Sequence, residues 1–238
     1  MKTGILITRG ERPEFVVRCV AALLAFCVPL GAQSLDAVLG RIDKSAPQFK
    51  SLAADVKRQV HTAIVNDDTM ETGTIKVKRE KGTTLALFDF KGADEKAVSF
   101  DGKTVSIFYP KIKTEQIYNF GDNRALLDQY LLLGFGITAA EMKSGYGVSW
   151  KGVEKIDGQA ADHLQLTPKS AAVLKRLKRA DLWIPSGNGV PVQQQFFTSA
   201  SGDFMTMTYM NMKANAPMSD GQLKLNIPKG VKVEHPTL

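Results

Sequence analysis

The residue types that could do chemistry in this 238-residue chain are few and badly spaced for it. Its three histidines, His61, His163 and His235, stand far apart and in no metal-ligand spacing such as H-x-x-x-H. They read as strand or surface residues. Gly134-Phe135-Gly136-Ile137-Thr138-Ala139 matches the loose dinucleotide fingerprint G-x-G-x-x-A. That fingerprint needs a strand before it and a βαβ unit around it, whereas here a Leu-rich run precedes and alternating segments follow. Gly102-Lys103-Thr104 has the tail of a phosphate loop, but Ala97 stands where the upstream glycine is required. Gly147-Val148-Ser149-Trp150-Lys151-Gly152 is one residue too long for a nucleophile elbow. Lys175, Arg176, Lys178 and Arg179 form a basic cluster that reads as a solvated strand or turn rather than an anion patch. No acid–base, nucleophilic or metal constellation assembles, so the expectation is a protein that is not an enzyme and holds no cofactor or metal.

The elements that position these residues begin after an export signal. Lys2, Arg9 and Arg12 make a positive start, diluted by Glu11 and Glu14, and Phe15–Leu30 is apolar apart from Arg18. Its unbroken part, Val20–Leu30, has signal-peptide length, while a bilayer span needs about 20 apolar residues. Gly31 and Ala32 place cleavage near Ala32 or Gln33, giving a signal over residues 1–33 and one domain over 34–238. Both cysteines, Cys19 and Cys27, fall inside the signal, so the mature chain has no thiolate or disulfide. Phe26 before Cys27 argues against lipidation there. Four basic and two acidic residues leave with the signal, so the formal charge of +7 falls to +5. An exported chain of that charge has little access to nucleic acid, which is set aside as a partner.

Ser34 can cap a helix whose apolar residues Leu35, Val38, Leu39 and Ile42 recur at helical spacing, and Pro47 ends it. A second helical turn is expected within Gln48–Gln59, before a strand near Asp55–Val65 and a turn at Asn66-Asp67-Asp68. Thr72–Glu80 then alternates, with Ile75, Val77 and Arg79 on one face. Strands follow over Thr84–Phe90, which carries Phe88 and Phe90, over Val98–Phe100 and Thr104–Tyr109 around an Asp101-Gly102 turn, and over Glu115–Phe120. Leu126–Phe135, with Leu126, Leu127, Tyr130, Leu131 and Phe135, reads as a helix apolar nearly all round. Thr138 and Glu141 form a capping-box pair that starts another. Val148–Ile156, Ala161–Thr167, Leu177–Ile184, Val190–Thr198, Asp203–Met212 and Leu223–Ile227 are the remaining strands.

Three features stand out. Arg79 points to the apolar side of its strand, where an unpartnered charge costs several kcal/mol. It is either a strand-end residue in solvent or a latch bonded to backbone carbonyls of a covering element. Leu126–Phe135 is either fully buried or covers and lines a hydrophobic cavity. Met205, Met207, Met210 and Met212, beside Phe204 and Tyr209, make either an unspecialised core strand or an adaptable surface for apolar ligands.

Gly73-Thr74-Ile75-Lys76-Val77-Lys78-Arg79, Phe100-Asp101-Gly102-Lys103-Thr104-Val105, Tyr109-Pro110 and Glu115-Gln116 resemble the periplasmic outer-membrane lipoprotein carriers of the LolA family. Leu166-Thr167-Pro168-Lys169, Leu182-Trp183-Ile184 and Ile227–Val233 continue the resemblance in order, over most of the mature chain. It implies a mainly β fold with α: an open, incomplete antiparallel β-barrel of about ten or eleven strands, covered by a lid of two or three helices and enclosing a hydrophobic cavity. It further implies a monomeric periplasmic carrier whose cargo is acylated lipoproteins, served by an inner-membrane release transporter and an outer-membrane acceptor. The family arginine matching Arg79 holds the lid shut, although Glu80 stands where the family has proline. The expected cavity and lid residues are Arg79, Ile75, Val77, Phe88, Phe90, Leu126, Leu127, Tyr130, Leu131, Phe135, Met205 and Met207. A lipid-sensing regulator of the same fold, or a free-lipid transporter, is the alternative.

Overall fold

Alternation along the chain becomes a single curved sheet. The computed structural model describes Met1 and residues 34–80, 83–120, 133–198 and 202–236, with the side chain of Glu80 left aside. The signal-like segment, the Lys81-Gly82 turn and the run carrying Leu126, Leu127, Tyr130 and Leu131 lie outside the described residues.

The first wing contains β1 (Ser51–Thr62), β2 (Asp67–Glu80), β3 (Thr83–Lys91), β4 (Lys96–Phe100), β5 (Thr104–Tyr109) and β6 (Thr114–Asn119). The second contains β7 (Tyr146–Ile156), β8 (Gln159–Pro168), β9 (Arg179–Pro185), β10 (Gln193–Phe197) and β11 (Phe204–Ala214). Both are antiparallel meanders, and β11 pairs with β1 to join them. β12 (Lys232–Glu234) adds to β6 in parallel. The order is β12-β6-β5-β4-β3-β2-β1-β11-β10-β9-β8-β7, a twelve-stranded sheet with two ends, so the barrel is open. The count exceeds the expected ten or eleven.

Two local departures have physical causes. Gln48–Gln59 makes no second α-turn. A 3-10 turn at Ala46–Gln48 leads into β1, because Leu52, Ala54 and Val56 alternate into the core and β1 pairs residue for residue with β2. Leu223–Ile227 is not a strand. A 3-10 turn at Asp220–Leu223 opens an irregular segment whose Leu223, Leu225 and Ile227 lie over Leu85 and Leu87 on the outer face of the first wing. Its alternating apolar residues are satisfied by covering that face.

The helices lie on the concave side. α1 (Leu35–Ser45) starts where the Ala37 N–H donates to Ser34 Oγ at 3.3 Å, and it buries Val38, Leu39 and Ile42. α2 (Ala139–Gly145) carries the expected capping box between Thr138 and Glu141. A short α3 (Ala171–Leu174) precedes β9. One core cluster packs α1, α2 and Leu133 onto Leu164, Leu166, Leu182 and Ile184 of the second wing. The other packs Phe49, Leu52, Ile75, Val77, Phe90, Phe135, Met207 and Tyr209 at the centre. Full burial of one such side chain is worth about 1.5–3 kcal/mol.

Candidate functional site

The concave face is built in rows, because antiparallel register places every second residue of each strand on the same side. Ala54, Ile75, Phe88, Val98 and Ile107 stand opposite one another across β1 to β5. Leu52, Val77, Ala86, Phe100, Val105 and Tyr118 form the next row. Arg79 extends the inward phase of β2 beyond Val77, to the end of the strand.

There the half-buried Arg79 donates through Nη1 to the carbonyl of Gly136, in the irregular segment before α2. Gly136 has φ 68°, in the left-handed region, and an added Cβ would lie 2.8 Å from the Phe49 ring and 3.3 Å from Arg79 Nη1. Only glycine lets the carbonyl face the guanidinium so closely. Close by, the capping bonds from Thr138, helped by the positive charge of Arg79, hold the Glu141 carboxyl below its usual range.

A second anchor lies opposite. Gln194 of β10, 2% exposed, donates through Nε2 to the Leu133 carbonyl and accepts the Tyr209 hydroxyl at 2.6 Å. Burial pushes the Tyr209 phenol far above its ordinary value, so it stays a neutral donor. Two carbonyls three residues apart are thus held from the two wings, and Phe135 between them is driven into the centre. Its ring lies 5.2 Å from Tyr209, edge-on, and 6.2 Å from Phe49. Gln194 was not singled out from the sequence; its inward phase with Phe196 in β10 was the available signal.

α1 has its own ties. Asp162 of β8, fully buried, accepts from Arg41 and from Trp150 Nε1 at 2.8 Å. Asp43 accepts the Ala139 N–H at 2.7 Å, joining α1 to the start of α2.

The expected cavity residues divide into two groups. Ile75, Val77 and Phe135 are 1, 1 and 0% exposed, and Phe90 and Met207 are also buried. They pack against one another and their neighbours in the central cluster. Phe88 and Met205 are half-buried. Beyond Phe88 the face runs on into half-buried Val98, Val105, Ile107, Tyr109 and Tyr118, the accessible apolar surface of the first wing. Leu126, Leu127, Tyr130 and Leu131 lie outside the described residues.

Charge also enters the concave face at the far end from Arg79. Glu71 of β2, 4% exposed, accepts from Arg58 of β1 and from Lys96 of β4. Burial pushes its carboxyl upward, but Lys96 and Arg58 outweigh that and hold it below the usual range.

On the outer face, His163 stacks on Trp183 with centroids 4.6 Å apart. Its Nδ1 lies 2.8 Å from Glu154 and its Nε2 3.5 Å from Asp181, which Arg179 also pairs at 3.0 Å. Cavities of about 390 and 280 Å³ lie on the outer face along the segment Leu223–Ile227. Among the described residues no group of three His, Cys, Asp or Glu side chains is placed to hold a metal ion, and no helix is long and apolar enough to cross a membrane.

No family model matches the chain, and no curated protein matches its sequence. Solved structures do match. An uncharacterized conserved protein of Thermus thermophilus aligns at 14% identity over 84% of this chain and 98% of that one, with a TM-score of 0.51. MucB aligns at 17% identity over 82% of this chain, with a TM-score of 0.50, and the match spans 64% of that chain. A LolA superfamily protein from Nitrosomonas europaea aligns at 15% identity over 82% of this chain and 99% of that one, with a TM-score of 0.41. At such identities a likeness speaks of fold alone, and the fold shared with the Thermus thermophilus protein and MucB is an open antiparallel sheet with helices over its concave face.

Proposed function

We propose that this chain is a periplasmic carrier that shields the acyl chains of lipoproteins and delivers them from the inner to the outer membrane, without chemistry. Residues 1–33 direct its export, and 34–238 work as a monomer between an inner-membrane release transporter and an outer-membrane acceptor. The observation that carries this reading is the plug. Arg79 and Gln194 hold the carbonyls of Gly136 and Leu133, and Phe135 between them fills the middle of an apolar concave face.

Each CH₂ of an acyl chain is worth about 0.8 kcal/mol when taken out of water, so an acylated protein needs a shielded path. Release of the two carbonyls lets Phe135 withdraw. Ile75, Val77, Phe88, Met205 and Met207 then face the vacated space, and the acyl chain replaces the apolar contacts that Phe135 gives up. A charged hydrogen bond is worth about 1.5–3 kcal/mol and a neutral one about 0.5–1.5. Anchors of that size keep an empty face closed, yet a ligand burying a few methylenes outweighs them. Closure afterwards favours unloading.

Native mass spectrometry of the protein purified from the periplasm tests this reading. A co-purified, intact acylated lipoprotein is the expected result. Empty protein from cells that contain abundant lipoprotein, or free phospholipid as the sole adduct, overturns the lipoprotein assignment.

A further inference from the structure

We propose that the concave face of the first wing takes an acyl chain bearing an anionic end, a carboxylate or a phosphate, seated by Arg58 and Lys96. The inference rests on reading this face as lipid-binding, and goes beyond it by naming a second ligand of the same face, a free anionic single-chain lipid, beside the ester- and amide-linked chains of a lipoprotein.

The two cations share a single carboxylate. Lys96 Nζ lies 2.5 Å from Glu71 Oε1, while Arg58 Nη1 donates to Oε2. Glu71 is 4% exposed, whereas the side chains of Arg58 and Lys96 keep 21 and 18% of their surface open. The remaining contacts of the cations are weak. Arg58 Nε points at the thioether of Met205 at 3.2 Å, and among the described residues Lys96 Nζ has the Asp94 carbonyl at 3.4 Å besides Glu71. Both cations lie over the Phe90 ring, at 5.7 and 5.6 Å from its centroid, an attraction that consumes no N–H. Among the described residues, no second carboxylate pairs with either cation.

Neutralising Glu71 requires one cation. The second leaves one uncompensated positive charge, and unspent N–H groups, on an inward and largely apolar surface. Such charge is costly without an anion to meet it. Its neighbours show where the rest of a ligand goes. Lys96 stands two residues from Val98 on the same face, about 7 Å along the strand, and Val98 sits between Phe88 and Ile107 in the half-buried row. A chain lying along Phe88, Val98 and Ile107 brings its end to Lys96 and Arg58. An anion there accepts several charge-assisted hydrogen bonds, whereas an alcohol or ester offers nothing that repays the cations for lost hydration.

The experiment compares chain-matched amphiphiles below their micellar concentrations, by calorimetry on the purified full-length protein: oleate against oleyl alcohol, and oleoyl lysophosphatidylglycerol against its zwitterionic choline counterpart. Oleate should bind about tenfold more tightly than oleyl alcohol, with the preference shrinking as salt rises. Lys96→Met should abolish that preference and leave the alcohol unaffected. Glu71→Gln, which frees both cations and adds no bulk, should instead tighten oleate. A preference for the anionic lysophospholipid extends the site to phosphate; its absence restricts it to carboxylate. If oleate and the alcohol bind within twofold of each other, in the wild type and in Glu71→Gln alike, the inference is wrong while the carrier reading stands. If neither amphiphile binds, both fall together.

Discussion

Replacing Arg79 with leucine isolates one anchor of the covering segment. The substitution deletes the guanidinium bond to the Gly136 carbonyl and leaves that carbonyl to find water or stay unpaired. A charge-assisted hydrogen bond of this kind contributes about 1.5–3 kcal/mol. Since 1.4 kcal/mol is a factor of ten, local opening of residues 133–138 should become about 10- to 100-fold more frequent. Leucine also adds apolar wall next to Val77, so a loaded acyl chain gains contacts and empties more slowly. Amide hydrogen exchange reads the first effect directly, at Phe135, Gly136 and Ile137, where protection should drop while the β1–β2 ladder keeps its own. Transfer of labelled lipoprotein from loaded protein to acceptor membranes reads the second: uptake survives and delivery slows. Lysine should restore only part of either, lacking the planar fork of donors. Unchanged exchange at Phe135–Ile137 together with normal transfer would refute the latch and make Arg79 an ordinary strand-end residue.

Asp162→Ala leaves the Arg41 guanidinium and the Trp150 N–H without their buried acceptor, so equilibrium urea unfolding should show a loss of about 3 kcal/mol, at the low end for a broken buried pair because Arg41 is partly open to solvent. Burial alone would lower the His163 pKa, but Asp181 and Glu154 outweigh it and raise the pKa above the ordinary histidine value of about 6.5. The stabilisation from charged His163 is therefore complete below about pH 6.5 and is lost as pH rises through the raised folded-state value. Melting temperature should fall across that window, and His163→Gln should flatten the dependence; an unchanged slope in the variant would assign it to another group.

Much of this protein is local information. Strand alternation in Thr72–Glu80, the cap at Ser34, the capping box at Thr138 and Glu141, and the inward phase of Arg79 with Ile75 and Val77 are properties of a few neighbouring residues. A period of two dictates which side chains share a face, and cap geometry depends on residues three apart. Those signals suffice for a mainly β chain of antiparallel strands with a few helices and for marking Arg79 as an inward charge that needs an acceptor; the open, lidded barrel is implied only by the family resemblance.

What that acceptor is, and what else converges there, depends on the order and register of distant strands. β1 meets β11 about 150 residues later in the chain, and this pairing alone brings Arg58 beside Met207 and closes the two wings around Phe135. Gln194 holds Leu133, Asp162 holds Arg41, and Lys96 shares Glu71 with Arg58, although each residue looks ordinary in its own strand. The parallel pairing of β12 with β6, and the draping of Leu223–Ile227 over the outer face, likewise have no local signature, because a short apolar alternation fits a strand and a surface strap equally well. Periodicity encodes which way a side chain points; the partner it meets there is set by which rows the closed sheet brings opposite one another.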